Sequence, residues 1–581
     1  MESPRGADTQ GMDMQICYIW TEGFKGLQNF GLNLSSEYDF SFDGVSITAE
    51  KKDTPVEKLY GSQISDISAI IGINGAGKTT ALELICYCSS RPQDLKNDFL
   101  IIFKKDNEYF YHSEKDTFLL SPQFITPNRD PDVFTTSNTI YYSNIYDGNT
   151  LSLPENVMDL SKNKKNSPKP IKDSLSISAE GDITQQIEFI QSKEISNLDL
   201  TLPKWIEFKA PEYSQRISNL EMTLRKQDHF TEIEKLQIRE LYKIVNSVMI
   251  AERKNNPRDS IAVKIRQMFI HEVFSEFPSL SVSFVNLIKD LCEDNFKKTR
   301  TINNLIDEMI KNHEVMLDFK WYFSHVFTLE FVAQAMLLLD EEQLTDANLE
   351  IDNSIISSKT VFKLCLNNKN HKLLSVIAAV FEKAYGGNVR WIGQSSGERA
   401  YFDIFSLIWH SIYKCTLNTD NSTTIICIDE PDVYLHPQWQ VQFLSKLVKT
   451  LPKITGGKIQ IIFTTHSPLL LSDVPKQCIS IMGQDTENTP QVPNTFGANL
   501  YDLYAKVFGI GYQSMGSIAE HYTNKTLKIL EKDTLTESDL KHLLQAMDII
   551  GDEIILFHVK EKLTAFEGRV VRGNSITKGR D

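Results

Sequence analysis

The segment Gly72-Ile73-Asn74-Gly75-Ala76-Gly77-Lys78-Thr79 constrains this chain more than any other part of it. It fills every fixed position of the G-x-x-x-x-G-K-[ST] pattern, and it stands where that pattern has physical meaning. A mostly apolar run, Ile67 to Ile71, leads in, and a helical pattern carrying Leu82, Leu84 and Ile85 leads out. Glycines let the backbone curl so that successive N–H groups face phosphate oxygens at a helix N-terminus. Lys78 supplies charge for the β- and γ-phosphates, and the Thr79 hydroxyl is placed to ligate Mg2+. Asn74, Gly75, Ala76, Gly77, Lys78, Thr79 and Thr80 are the expected nucleotide-binding set, with ATP and Mg2+ as ligands. The expected fold class is α/β.

A second segment supplies the carboxylates that such a loop needs. Thr424 to Ile428 reads as a buried strand, and it ends in Asp429-Glu430-Pro431. Strand ends of this kind lie at the carboxyl edge of an α/β sheet, where ligands bind. Asp429 can hold Mg2+ directly or through water, and Glu430 can polarise the attacking water. A strand ending in Asp-Glu is by itself ordinarily a solvated strand end; the P-loop in the same chain favours the chemical reading. Two more pieces fit around the pair. Gly393-Gln394-Ser395-Ser396-Gly397-Glu398-Arg399 opens a helical stretch, Ala400 to Ser411, as an anion-binding N-terminus would. Its plain alternative is an ordinary helix cap with a first-turn Glu. Ile461 to Pro468 ends a strand in Thr464-Thr465-His466-Ser467, and His466 at that edge could sense a γ-phosphate, although a lone His is more often structural.

Composition limits the remaining choices. The 581 residues carry a net charge of −15, so a protein that coats duplex nucleic acid nonspecifically is disfavoured and any such contact must be local. Basic stretches occur at Lys162 to Lys172, Lys297 to Arg300 and the Arg569–Arg580 tail, where solvated loops are the plainer reading. The longest apolar stretch, Leu373 to Phe381, falls far short of the roughly 18–20 residues that span a bilayer, so no membrane association is expected. No secretory leader opens the sequence, and eight scattered cysteines without C-x-x-C spacing argue against a zinc site or disulfide frame. Cytoplasm is the expected compartment.

Along the chain, strand candidates at Val45–Ala49, Leu100–Phe103, Tyr109–His112, Thr117–Leu120 and Thr139–Ser143 flank the P-loop. Residues 161–182, rich in Lys, Asn, Ser and Pro, read as a linker, and Trp205–Lys209 as a further strand. From Ser214 to Glu350 the period changes to about 3.6, without a sustained heptad. Ile425–Ile428 and Ile459–Thr464 return to buried-strand runs followed by helical patterns. The expected domains are 12–160, the N-terminal half of an ATPase head; 161–385, a linker, edge strands and mainly helical insertion; 386–515, the C-terminal half of the head; and 516–581, a helical segment and tail.

In this order, the P-loop, the Ser395–Glu398 signature, Asp429-Glu430-Pro431 with Leu435-His436-Pro437, and Thr464-Thr465-His466-Ser467-Pro468 resemble an ABC-type ATPase head. The resemblance is to the group holding the overcoming-lysogenisation ATPases, the RecF and SMC heads and related phage-defence ATPases. Ser395 and Gly397 match the signature's Ser and second Gly, Ser396 its first Gly, and Glu398 its usual Gln. His436 falls at the D-loop position and His466 at the switch histidine, while Asn144, after Tyr141-Tyr142-Ser143, is the stand-in for a Q-loop. Within that group the chain looks most like the PtuA-type ATPases of Septu and retron-associated anti-phage systems. The opening Tyr18–Gly31 segment, the insertion, and Thr495–Asp502 carry that part of the likeness. The resemblance implies a mixed β-sheet with flanking helices, a dimer or higher even oligomer around ATP, and a PtuB-like HNH nuclease partner. In the retron version it also implies a reverse transcriptase with its RNA–DNA product.

Metal-dependent nucleases of the overcoming-lysogenisation type add a Glu and an Asp-x-Asp after the ATPase. No Asp-x-Asp follows His466 here, and Glu252-Arg253-Lys254 is too short a pattern to mean a nuclease. The expected function is therefore a regulatory ATPase, with Glu430, His466 and Lys78 as its catalytic residues and Thr79 and Asp429 on the metal. The alternative is a RecF/SMC-like DNA-repair clamp; a transporter subunit is disfavoured by the long separation of P-loop and signature.

Overall fold

Three of the apolar runs lie side by side in the structure, a computed structural model. It describes residues 13–52, 58–114, 122–128, 133–134, 137–166, 182–197, 202–211, 231–233, 235–236, 349–350, 359–367, 371–372, 374–375, 377–378, 389–416, 423–483, 493–508 and 515–577. The expected strand Thr117–Leu120 and nearly all of the expected helical stretch 214–350 lie outside these residues.

The first strands are β1 (Met14–Phe24), β2 (Leu27–Asn33), β3 (Tyr38–Phe42), β4 (Ile47–Lys51) and β5 (Ile64–Gly72), followed by helix α1 (Lys78–Ser90). Then come β6 (Phe99–Lys105), β7 (Glu108–Ser113), β8 (Ile125–Pro127), β9 (Asn138–Ser143) and β10 (Val157–Asp159). Helices α2 (Lys162–Asn166) and α3 (Asp182–Gln191) precede β11 (Trp205–Pro211), β12 (Leu349–Glu350), β13 (Lys359–Cys365) and β14 (Val389–Ile392). The order closes with α4 (Ser396–Thr416), β15 (Thr424–Asp429), α5 (Pro437–Thr450), β16 (Ile459–Thr464), α6 (Pro468–Leu471) and β17 (Ile479–Met482). Strand β4 starts later than the β-prone run at Val45 because the Asp43 carboxylate accepts from the Val45 and Ser46 N–H groups and holds a turn there.

The central sheet has the order β10-β9-β15-β16-β5-β17, and each pairing is parallel. Parallel strands are covered on both faces and read as continuous apolar runs, and β15 and β16 are buried at every position. Ile70, Ile425, Cys427 and Ile462 share one core with α1 residues Ala81, Leu82, Leu84 and Ile85. Ile426, Ile428, Ile461 and Phe463 alternate with them and are equally buried.

A second sheet, β2-β1-β6-β7-β8, completes the α1 core with Met14, Ile16 and Ile19 of β1 and Phe103 of β6. Strand β1 serves two cores. A bulge between Ile16 and Tyr18 shifts the phase, so Cys17, Tyr18 and Trp20 face the β3–β4 hairpin instead. Gln460 of β16 joins the two sheets at the bulge: its Oε1 accepts from the Ile16 N–H at 2.9 Å, and its Nε2 donates to the Ile16 carbonyl at 2.8 Å. A buried side-chain amide thus replaces a missing strand partner.

A third sheet, β12-β13-β11-β14, stands at the root of the long intervening segment. Pro211 pairs with Lys359, so β11 and β13 lie side by side although 147 residues separate them in sequence. Strand β14 pairs with β11 and leads into α4. Helix α3, which the sequence places at the start of the insertion, packs along α4.

Residues Tyr501–Asp581 form a separate unit. Its helices α7 (Ser517–Leu530), α8 (Glu537–Ile549) and α9 (Glu553–Thr577) enclose Ile529, Leu543 and Val559. A Thr536–Asp539 capping box starts α8. Among the described residues no helix is long and apolar enough to cross a membrane.

Candidate nucleotide site

Because the central strands are parallel, four carboxyl ends meet at one edge: Gly72 of β5, Asp429 of β15, Thr464 of β16 and Ser143 of β9. The loop from Gly72 runs into α1. Gly77 takes a φ of 89° that a side chain would strain, and a Cβ there would also come within 3.1 Å of Leu27 Cδ2. Gly75 is left-handed as well, at 79°. Lys78 is buried, and its Nζ donates to the carbonyls of Gly72 at 3.2 Å and Ile73 at 3.3 Å. Burial pushes its pKa down, opposed by the Glu430, Asp429 and Asp432 carboxylates.

Thr79 and Asp429, 350 residues apart in sequence, are hydrogen-bonded: Thr79 Oγ1 donates to Asp429 Oδ2 at 2.9 Å. The same oxygen accepts from the Tyr141 hydroxyl at 3.2 Å, while Oδ1 accepts from Thr464 Oγ1 at 2.6 Å. The sheet order explains this convergence, since β9 and β16 flank β15 on either side. Burial raises the Asp429 pKa, and the three hydroxyl donors and Lys78 oppose it.

Glu430 has a φ of 47°, an uncommon state for a residue with a side chain, and the turn is pinned by its N–H donating to Thr464 Oγ1 at 2.9 Å. Its Oε1 lies 3.6 Å from His466 Nε2. Burial, then the neighbouring Asp429 and Asp432, raise the Glu430 pKa. Burial, then Lys78, lowers that of His466. Asp432 accepts from Thr465 Oγ1 at 2.7 Å, which ties the loop after β15 to the loop after β16. The expected residues Lys78, Thr79, Asp429, Glu430 and His466 are thus brought together; Asn74, Gly75, Ala76, Gly77 and Thr80 line the same loop and first helical turn. Hard oxygen donors, one hydroxyl and one carboxylate, suit Mg2+, which takes few protein ligands beside phosphate. Among the described residues there is no group of three or more His, Cys, Asp or Glu that could hold a metal ion.

The signature residues sit elsewhere. Ser395 caps α4: its N–H donates to Glu398 Oε2 at 2.8 Å, and the Glu398 N–H donates to Ser395 Oγ at 3.2 Å. The plain reading of that segment as a capping box is therefore realised. Gly397 is required by packing within the chain, since a Cβ would lie 2.9 Å from the Tyr434 carbonyl and 3.1 Å from the Trp439 ring. Ser395 and Ser396 are exposed at the helix start. Among the described residues, no hydrogen bond or ion pair joins Ser395–Glu398 to the P-loop. His436 is the N-cap of α5, its Nδ1 accepting from the Gln438 N–H at 3.3 Å, which gives the D-loop position a local structural use. Asn144 follows Ser143 at the sheet edge and is buried, and among the described residues its Oδ1 has no hydrogen-bond partner.

Motif reading names Thr464 and Tyr141 within their runs but gives neither a role at Asp429, although Tyr141 lies three residues before Asn144. Phe in place of Tyr141 keeps the ring and removes one donor to a buried carboxylate that keeps its Thr79 donor, worth about 0.5–1.5 kcal/mol. Tyr141→Phe is expected to raise the Mg2+ concentration needed for half-maximal ATP hydrolysis by roughly 3–10-fold. A magnesium titration of both proteins checks this, and identical curves would remove Tyr141 from the site.

Comparison with known proteins adds a likeness over part of the chain. A family described as "AAA domain, putative AbiEii toxin, Type IV TA system" matches residues 340–472, which include the signature, Asp429, Glu430 and His466. The chain is 31% identical over 126 residues to the Retron Vc95 probable ATPase of Vibrio cholerae serotype O1 biovar El Tor, covering 21% of this chain and 24% of that protein. It is 26% identical over 212 residues to the Septu protein PtuA of Bacillus thuringiensis, covering 34% and 48%. It is 36% identical over 94 residues to the Retron Ec83 probable ATPase of Escherichia coli, covering 15% and 16%. The chain matches less than half the length of each of these relatives. The fold is that of a P-loop ATPase, mixed α/β with a parallel sheet, and the likeness to PtuA-type and retron-associated ATPases is found as well as expected.

Proposed function

We propose that this chain binds and hydrolyses ATP as the regulatory subunit of an anti-phage defence complex, dimerising around ATP and controlling a separate HNH nuclease. The observation that carries the reading is the Thr79–Asp429 hydrogen bond beside the Glu430–His466 pair, at the mouth of a P-loop. The loop N–H groups and Lys78 hold the phosphates. Thr79 and Asp429 are the residues to hold Mg2+, which supplies positive charge against the phosphate oxygens. Glu430 orients and deprotonates the attacking water, and His466 sits where it can bond the γ-phosphate end. Among the described residues the exposed Ser395–Glu398 turn has no hydrogen bond or ion pair to the P-loop, and in this reading it serves the nucleotide held by a second copy. The names of the relatives support a defence setting, with a nuclease or a retron reverse transcriptase and its RNA–DNA product as partners.

The reading assigns nucleic-acid cleavage to the partner. The purified chain, incubated with plasmid, single-stranded DNA and tRNA in Mg2+ or Mn2+, with and without ATP, is expected to cleave none of them. Adding the HNH nuclease is expected to give cleavage whose rate depends on ATP. Cleavage by the chain alone that survives purification, and disappears when a carboxylate other than Asp429, Glu430 or Asp432 is replaced, would overturn this division of labour.

A further inference from the structure

The turn that carries Ser395 is short and begins with Gly393 at a φ of 86°. Where it points depends on how β14, ahead of it, is set against α4, behind it. One buried side chain touches both. Gln186 of α3 is 1% exposed. Its Oε1 accepts from Trp391 Nε1 of β14 at 2.7 Å, and its Nε2 donates to Asp403 Oδ1 of α4 at 2.6 Å. Trp391 and Asp403 are buried too. The other oxygen of Asp403 lies 3.7 Å from Lys162 Nζ and 4.0 Å from Arg399 Nε, so two cationic side chains face the carboxylate from the other side.

We propose that Gln186 is a positioning residue for the signature turn: its amide ties Trp391 to Asp403 and so sets where Ser395 and Glu398 are presented. The proposal rests on the reading that these residues act on a nucleotide. An amide suits both neighbours, because an indole can only donate, a carboxylate can only accept, and the amide offers an acceptor to one and a donor to the other. A leucine would remove the acceptor that Trp391 Nε1 uses and the donor that Asp403 Oδ1 uses. A glutamate would accept from Trp391 but set a second carboxylate against Asp403. Gln186 does not touch the P-loop, so nucleotide binding by a single chain does not depend on it.

The full chain is tested as Gln186→Leu, Gln186→Glu and the pair Gln186→Glu with Asp403→Asn, with Ser395→Arg as reference. ATP affinity, ATP turnover and thermal midpoint are measured for each. Gln186→Leu is expected to lose about 10–100-fold in kcat, the cost of a displaced contact group, while Kd for ATP stays within about 2-fold. Gln186→Glu is expected to lose activity. The pair is expected to regain it, because the amide introduced on α4 then donates to the carboxylate introduced on α3, and the Trp391 bond is kept. A wild-type kcat in Gln186→Leu overturns the proposal. Should that variant not fold, the glutamate variants decide, and a pair no more active than Gln186→Glu alone overturns it. If Ser395→Arg turns over ATP like the wild type, the signature reading itself has failed and the proposal falls with it. If Ser395→Arg is inactive and the Gln186 variants are not, the proposal alone has failed.

Discussion

Glu430→Gln is expected to bind ATP with near-normal affinity and to hydrolyse it about 10²–10⁴-fold more slowly, the usual cost of losing a general base. Glutamine keeps the shape of the side chain and, at a φ of 47° with the N–H held by Thr464, inherits the same backbone placement. What it lacks is a pair of electrons basic enough to take a proton from water. The pH profile carries the same signature. Burial, then Asp429 and Asp432, raise the Glu430 pKa, so the carboxylate gains its proton at a higher pH than an ordinary glutamate. Activity that needs the deprotonated form is therefore lost on acidification at a higher pH, and the acid limb of kcat/KM is expected above the ordinary carboxylate range. Steady-state turnover with a nucleotide-retention assay checks both points. Equal turnover in Glu430→Gln and wild type would place the base on another residue.

Lys78→Ala is expected to fail one step earlier, at binding. A charged hydrogen bond contributes about 1.5–3 kcal/mol, so affinity should fall on the order of 10–100-fold. The loss is not offset by a relaxed loop, because the Lys78 ammonium also holds the Gly72 and Ile73 carbonyls that shape it. Calorimetric titration with a slowly hydrolysed ATP analogue separates this variant, which should bind weakly, from Glu430→Gln, which should bind and stall. Unchanged affinity in Lys78→Ala would detach the P-loop from nucleotide binding.

What could be read from the sequence was what is encoded locally. The P-loop, Asp429-Glu430 and Thr464-Thr465-His466 each sit at the end of an apolar run, and the run and the motif are contiguous. The sheet order is not local. Thr464 and Tyr141 bond Asp429 because β16 and β9 flank β15, and nothing near either residue announces that neighbour. Strand β1 defeats a two-residue period for a different reason: its bulge moves the α1-facing set from Met14 and Ile16 to Ile19. Gln460 in a wholly buried strand looks like an error of pattern until its amide is seen to pair with Ile16. Ser395 and His436 show a further limit. Residues aligned with functional positions of an ATPase head are, within one chain, a capping box and an N-cap, and their geometry is fully accounted for by helix starts.

Whether they also act across two chains is decided by mixing two crippled proteins. Lys78→Ala damages the P-loop half of a shared site, and Ser395→Arg damages the signature half. A mixed dimer has one site carrying both lesions and one carrying neither. Each variant alone is expected to hydrolyse ATP poorly, and the mixture, with mixed dimers verified by native mass spectrometry, is expected to regain hydrolysis. Full hydrolysis by either variant alone, or verified mixed dimers no more active than the separate proteins, would contradict an ATP site built from two copies of this chain.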